Sequence, residues 1–177
     1  EAVAALDHEL GRDRPLPLQF ASWLGHAVRG DLGESWFTGI AVTSTIAERL
    51  PVSMSIAGLA LLIAVVLGAS AGILAALRRG SWIDTAVTVT ASTLATLPPF
   101  VVSIMLILLF GVAVPILPTG GYVPLAQDPS GWLACIILPA VALSLEAAAD
   151  LARQLRTALV STLEQNFVLG ARLRGHS

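Results

Sequence analysis

Long apolar runs separated by short polar ones dominate this chain. Residues 50–77, 85–127 and 129–145 contain no charged side chain. About 20 apolar residues cross a bilayer core of roughly 30 Å. The pattern therefore predicts three membrane-spanning helices, near residues 51–77, 86–111 and 131–150. Pro51 opens the first, a position where a missing backbone donor does no harm. Within it Ala64, Gly68 and Gly72 recur every four residues, a flat strip suited to close helix contact. The second carries Pro98-Pro99, which removes two backbone donors and should kink or break the helix. Freed carbonyls in lipid must find partners in protein or water. A static packing kink and the lining of a solute path are both compatible with that pair. The third span is edged by Trp132 and includes Pro139.

The flanking segments follow other periods. After Pro15 and Pro17, residues Phe20, Trp23, Leu24, Ala27 and Val28 have the spacing of an amphipathic helix. Its aromatic side suits either the membrane interface or the flank of a neighbouring span. Gly30-Asp31-Leu32-Gly33 reads as a turn. Beyond the third span, Leu159, Leu163, Phe167 and Ala171 recur every four residues, along one side of a helix. Arg172 and Arg174 fall away from that side, and Gly175 offers a stop. A short amphipathic helix that ends in basic residues is thus expected just past a membrane exit, as a handle for another protein to grip.

Charge sets the orientation. Of 177 residues 55% are hydrophobic and 12% charged, and the mean hydropathy is +0.80, far from a soluble domain. Every basic residue is Arg. Arg78 and Arg79 close the first span, and Arg153, Arg156, Arg172 and Arg174 follow the third. The positive-inside rule then places residues 78–85 and the chain after 150 in the cytoplasm, with 1–49 and 112–130 outside. The chain opens on Glu1 without a charged leader and reads as a piece of a longer membrane subunit.

Candidate chemistry is sparse. Gly68-Ala69-Ser70-Ala71-Gly72 matches the serine-hydrolase elbow pattern, but inside a spanning helix it reads as packing. Cys135 is the single cysteine and reads as a small hydrophobe. Glu146 and Asp150 sit near the inner end of the third span, with Arg153 three residues beyond Asp150. Such a group is either an interfacial ion pair or a proton or metal site. No metal-ligand cluster or phosphate loop is visible, and without Lys the chain cannot form a Walker A loop. Energy has to come from a partner.

Several segments together resemble a known family. They are Gly30-Asp31-Leu32-Gly33-Glu34-Ser35, Ala47-Glu48-Arg49-Leu50-Pro51 and Ala75-Ala76-Leu77-Arg78-Arg79-Gly80-Ser81-Trp82-Ile83-Asp84, then Leu117-Pro118-Thr119-Gly120-Gly121-Tyr122 and Leu138-Pro139-Ala140. In order and spacing they resemble the dipeptide/oligopeptide ABC-importer permeases. Ala171-Arg172-Leu173-Arg174-Gly175 is similar to the start of the cytoplasmic "EAA" loop that meets the ATPase subunits. Gln165-Asn166, Leu169-Gly170, His176 and Glu146 depart from the usual pattern.

The resemblance implies an all-α integral membrane chain with the type I importer permease fold, a fragment of about three of six transmembrane helices. Residues 1–50 would be an extracytoplasmic arm. Residues 51–177 would be the transmembrane fragment, with the coupling loop starting in 151–177. It implies a non-catalytic subunit in a bacterial or archaeal cell membrane. The partners would be a second homologous permease, two cytoplasmic ATPase subunits, an extracytoplasmic solute-binding protein and the lipid bilayer, with no nucleic acid. ATP and Mg would be cofactors of the ATPases, with none in this chain. Phe167, Ala171, Arg172, Arg174 and Gly175 would couple to the ATPases, and Pro98 and Pro99 would line the translocation path. Importers of nickel or glutathione fit the same motifs. A different class, an intramembrane enzyme using Glu146 and Asp150, and a purely structural assembly subunit stand as alternatives.

Overall fold

The structure, a computed structural model, describes residues 15–174. They fall into two compact units, one ending at Val52 and the other starting at Ser53. In the first unit, Pro15 precedes helix α1 (Leu16–Val28), and the helix carries a proline in its first turn. The rings of Phe20 and Trp23 lie tilted against each other, 6.0 Å apart. The chain then reverses through Gly30 and Gly33, both with positive φ (86° and 77°), a conformation glycine adopts without strain. The turn is tied to the helix that follows: the Thr43 hydroxyl donates to the Gly30 carbonyl (2.8 Å), and the Val42 N–H to that of Gly33 (2.9 Å).

That helix, α2 (Val42–Leu77), begins well before Pro51, which lies inside it. The expectation that Pro51 starts the helix is corrected here. Glu48 and Arg49 end the apolar run but not the helix, because the backbone of Val42 already has its partner in the turn. Apolar length reports the depth of lipid, whereas helix ends are set by capping.

In the second unit Ser81 caps α3 (Trp82–Leu94), and α4 (Pro99–Ile107) runs into a π-helical turn (Leu108–Ala113). The chain bends by 96° between α3 and the α4 segment. Pro98-Pro99 therefore breaks the expected second span outright. Helix α5 (Pro129–Leu163) is capped by Asp128, whose carboxylate accepts from the Ser130 hydroxyl (2.6 Å) and Ser130 N–H (3.0 Å). The Ser130 hydroxyl, then the N–H of Gly131, hold this carboxyl below its ordinary value. A last helix, α6 (Asn166–Leu173), is separate from α5. Leu159 and Leu163 thus belong to one helix and Phe167 and Ala171 to the next, which corrects the single stripe expected from their spacing. Among the described residues the only strand-like feature is the isolated bridge between Glu34 and Ala41.

The packing in this unit is inverted relative to a soluble protein. Ala60, Ala64, Gly68, Gly72 and Ala76, four residues apart on α2, are buried. So are Ile136, Ala140, Ser144, Ala148 and Ala152 at the same spacing on α5. Large side chains such as Leu61, Leu62 and Val66 stay exposed. Lipid tails are as apolar as leucine, so nothing drives large side chains inward, and small residues let helix backbones approach. A Cβ added to Gly68 would stand 2.7 Å from the Ala148 carbonyl oxygen, and one on Gly72 2.7 Å from that of Ala152. Helices α2 and α5 are long and apolar enough to cross a membrane, and α3 with the α4 segment makes a third crossing if the bent pair is one span.

Candidate functional site

Side-chain hydrogen bonds between different elements of the second unit gather at its two ends. At the basic end, Ser81 and Asp84 form a capping arrangement. The Ser81 hydroxyl accepts from the Asp84 N–H (3.4 Å), and the Asp84 carboxylate reaches back to the Gly80 N–H (3.0 Å). Asp84 is only 5% exposed. A buried carboxylate needs a cation, and Arg156 on α5 supplies one. Its Nη2 donates to Oδ2 at 2.8 Å while Nε donates to Oδ1, a two-pronged contact. Farther along, Arg79 pairs with Glu164, the residue that ends α5. The turn before α3 and the first turn of that helix are thereby fastened to α5 at two points, the second just ahead of α6.

From the sequence, Asp84 is only the last residue of a family-like segment and Arg156 one of the basic residues after the third span. A Ser-x-x-Asp cap at the edge of a charge-free stretch was the signal that could have exposed the pair. Asp150 pairs with Arg153 on its own helix. Glu146 takes no part in that pair, and no group of three His, Cys, Asp or Glu able to hold a metal occurs among the described residues. Ser70, central to the hydrolase-like pattern, donates to the Val66 carbonyl (2.6 Å) within its own helix. Its neighbours Gly68 and Gly72 are contact points with α5, so the pattern is packing.

Of the expected coupling residues, Phe167, Ala171 and Arg172 lie on the backbone of α6, Arg174 directly follows it and is exposed, and Gly175 lies outside the described residues. Pro98 and Pro99 stand at the break, far in sequence from that helix. On the opposite side of the unit, Trp132 Nε1 donates to the Ser55 hydroxyl (3.3 Å), which also meets the Tyr122 hydroxyl (3.5 Å). These bonds pin the 112–128 loop to α2 and α5. Beneath it Ser103, Thr119, Gly120, Cys135 and Pro139 line a cavity of about 270 Å³. Cys135 is half-buried there.

Residues 68–177 match the family described as binding-protein-dependent transport system inner membrane component. The whole chain is 38% identical over 177 residues to a putative peptide transport system permease protein of Brucella abortus, covering 56% of that protein. It is 34% identical over 177 residues to a probable peptide ABC transporter permease protein of Sinorhizobium fredii, again 100% of this chain and 56% of the relative. Identity to the oligopeptide transport system permease protein OppB of Salmonella typhimurium is 34% over 176 residues, 99% of this chain and 56% of the relative. The chain thus spans little more than half the length of the relatives it matches.

Proposed function

Since the chain belongs to the family of inner membrane components of binding-protein-dependent transport systems, we propose that it is part of the permease subunit of an ATP-driven importer for di- and oligopeptides. Its helices are a fragment of the ABC importer permease fold, and it is a multi-pass membrane protein. The observation that carries the substrate reading is similarity, over the length of this chain, to relatives named for peptide transport.

In this reading the subunit sits in a bacterial inner membrane beside a second permease, receives solute from an external binding protein, and performs no chemistry itself. ATP and Mg act in two cytoplasmic ATPases. Helix α6, with Phe167, Ala171, Arg172, Arg174 and the following Gly175, seats in a groove on an ATPase. Closure of the ATPases around nucleotide displaces α6. Spanning helices must keep their backbone bonds internal, so they follow as rigid rods. The Arg79–Glu164 and Asp84–Arg156 pairs then carry the displacement from α5 into α3 and so to the break at Pro98 and Pro99. The intramembrane-enzyme alternative loses ground because Asp150 is already paired with Arg153.

Affinity purification of the complete subunit from its own membranes tests this. Two ATPase chains should come with it, and the reconstituted complex should accumulate a labelled tripeptide only when ATP is present. A subunit that purifies without ATPases, or peptide uptake indifferent to ATP, would overturn the proposal.

A further inference from the structure

The break between α3 and α4 presents hydrogen-bond acceptors and almost no donors. Pro98 and Pro99 lack N–H groups, so the carbonyls of Leu94 and Ala95 have no helical partner four residues on. The Leu94 carbonyl takes the Leu97 N–H instead (3.2 Å), while the Pro98 carbonyl accepts both Val101 (3.0 Å) and Val102 (3.3 Å). Among the described residues no backbone N–H reaches the carbonyls of Ala95, Thr96 or Leu97. The neighbouring hydroxyls are committed to the backbone. Thr93 donates to the Val89 carbonyl (3.0 Å) and Thr96 to that of Thr93 (2.7 Å). A hydroxyl has one hydrogen, so each of these has only lone pairs left to offer. Thr93, Thr96, Leu97 and Pro98 are exposed, and residues 85–127 carry no charge.

Resting on the importer reading above, we propose that this acceptor-rich collar is a passing station for N–H groups of the solute, above all the protonated amino terminus of a peptide. Unpartnered carbonyls at membrane depth are costly, so a solute that brings donors is welcome there. An ammonium brings three. Residues 85–127 hold no carboxylate of their own to grip that cation, and weak binding is what passage requires. The same oxygens suit nickel poorly, because that ion prefers imidazole nitrogen. The collar therefore selects the peptide cargo over the metal one.

The test uses the complete transporter with its binding protein and ATPases in proteoliposomes, fed a labelled tripeptide or its N-acetylated form. Thr96→Val removes a hydroxyl and keeps the shape. The double variant Pro98→Ala/Pro99→Ala returns two N–H groups to the carbonyls of Leu94 and Ala95. Free-tripeptide uptake per ATP hydrolysed should fall about tenfold in the double variant and about threefold in Thr96→Val, the scale of one hydrogen bond. Uptake of the acetylated peptide should fall much less. The binding protein is the same throughout, so its own preference cancels between variants. If the double variant does not assemble, Thr96→Val carries the test alone. Wild-type efficiency in the variants, or equal loss of both peptides, overturns the collar and leaves the importer reading standing. A wild-type complex that moves neither peptide overturns both.

Discussion

Asp84 shows how much one side chain can organise at the edge of lipid. Its carboxylate caps the turn through Gly80 and holds the Arg156 guanidinium with both oxygens. Removing one member of a buried pair leaves the other charge without a partner, whereas removing both leaves neither stranded. Asp84→Asn and Arg156→Met should therefore each lower the thermal unfolding midpoint of the complete subunit in detergent. The double variant should lie closer to wild type than the sum of the singles. Strict additivity in that cycle would show that the pair is not coupled. The Arg79–Glu164 pair is a contrast, since both side chains are more than half exposed. Its removal should change stability by no more than about 1 kcal/mol. Its proposed role is transmission, so its loss would be felt in ATP-coupled uptake.

At the scale of elements, the contact of α2 with α5 depends on the absence of side chains. A Cβ at Gly72 would meet the Ala152 carbonyl oxygen at 2.7 Å and Leu155 Cβ at 3.0 Å, and the backbone cannot give way as a flexible side chain would. Gly72→Val should destabilise the subunit by about 1–3 kcal/mol or more, measured by chemical denaturation in detergent. Ser70→Ala, two residues away, should fall within about 0.5 kcal/mol of wild type, because that hydroxyl only doubles up on its own helix. Equal effects would mean that the strip is not a contact surface. This strip was legible in the sequence because four-residue spacing of small residues has one common use in lipid. The break at Pro98-Pro99 was legible too, since missing donors are written in the residue type, but the 96° bend depends on what each half packs against. Helix ends were not legible: α2 starts at Val42, before its charge-free run begins, and α5 continues to Leu163, beyond the end of its own. The bend at Glu164 was hidden because the four-residue spacing of Leu159, Leu163, Phe167 and Ala171 continues straight through it. Asp84 and Arg156 lie 72 positions apart, and no local pattern reports a partner at that distance.

For the molecule as a whole, the register of α2 on α5 bears on which way the chain is threaded. Gly68 faces Ala148 and Gly72 faces Ala152, so numbering rises in the same direction along both helices. They are parallel. Two parallel spans joined by residues 78–128 require the connection to return across the bilayer once, and only α3 with the α4 segment is apolar enough to do so. The bent pair thus counts as a single crossing that starts and ends on opposite faces. In the proposed topology, arginine at residues 78, 79, 153 and 156 marks the cytoplasmic side towards the ends of α2 and α5, and the uncharged loop around Gly120 lies outside. Single cysteines in a Cys135→Ala background check this in intact cells. Gly120→Cys, where an added side chain meets open space, should react with a membrane-impermeant maleimide, and Arg174→Cys should react only after the cells are permeabilised. Reaction of Arg174→Cys in intact cells would place α6 on the wrong side of the membrane for an ATPase, and no displacement of that helix by nucleotide could then drive import.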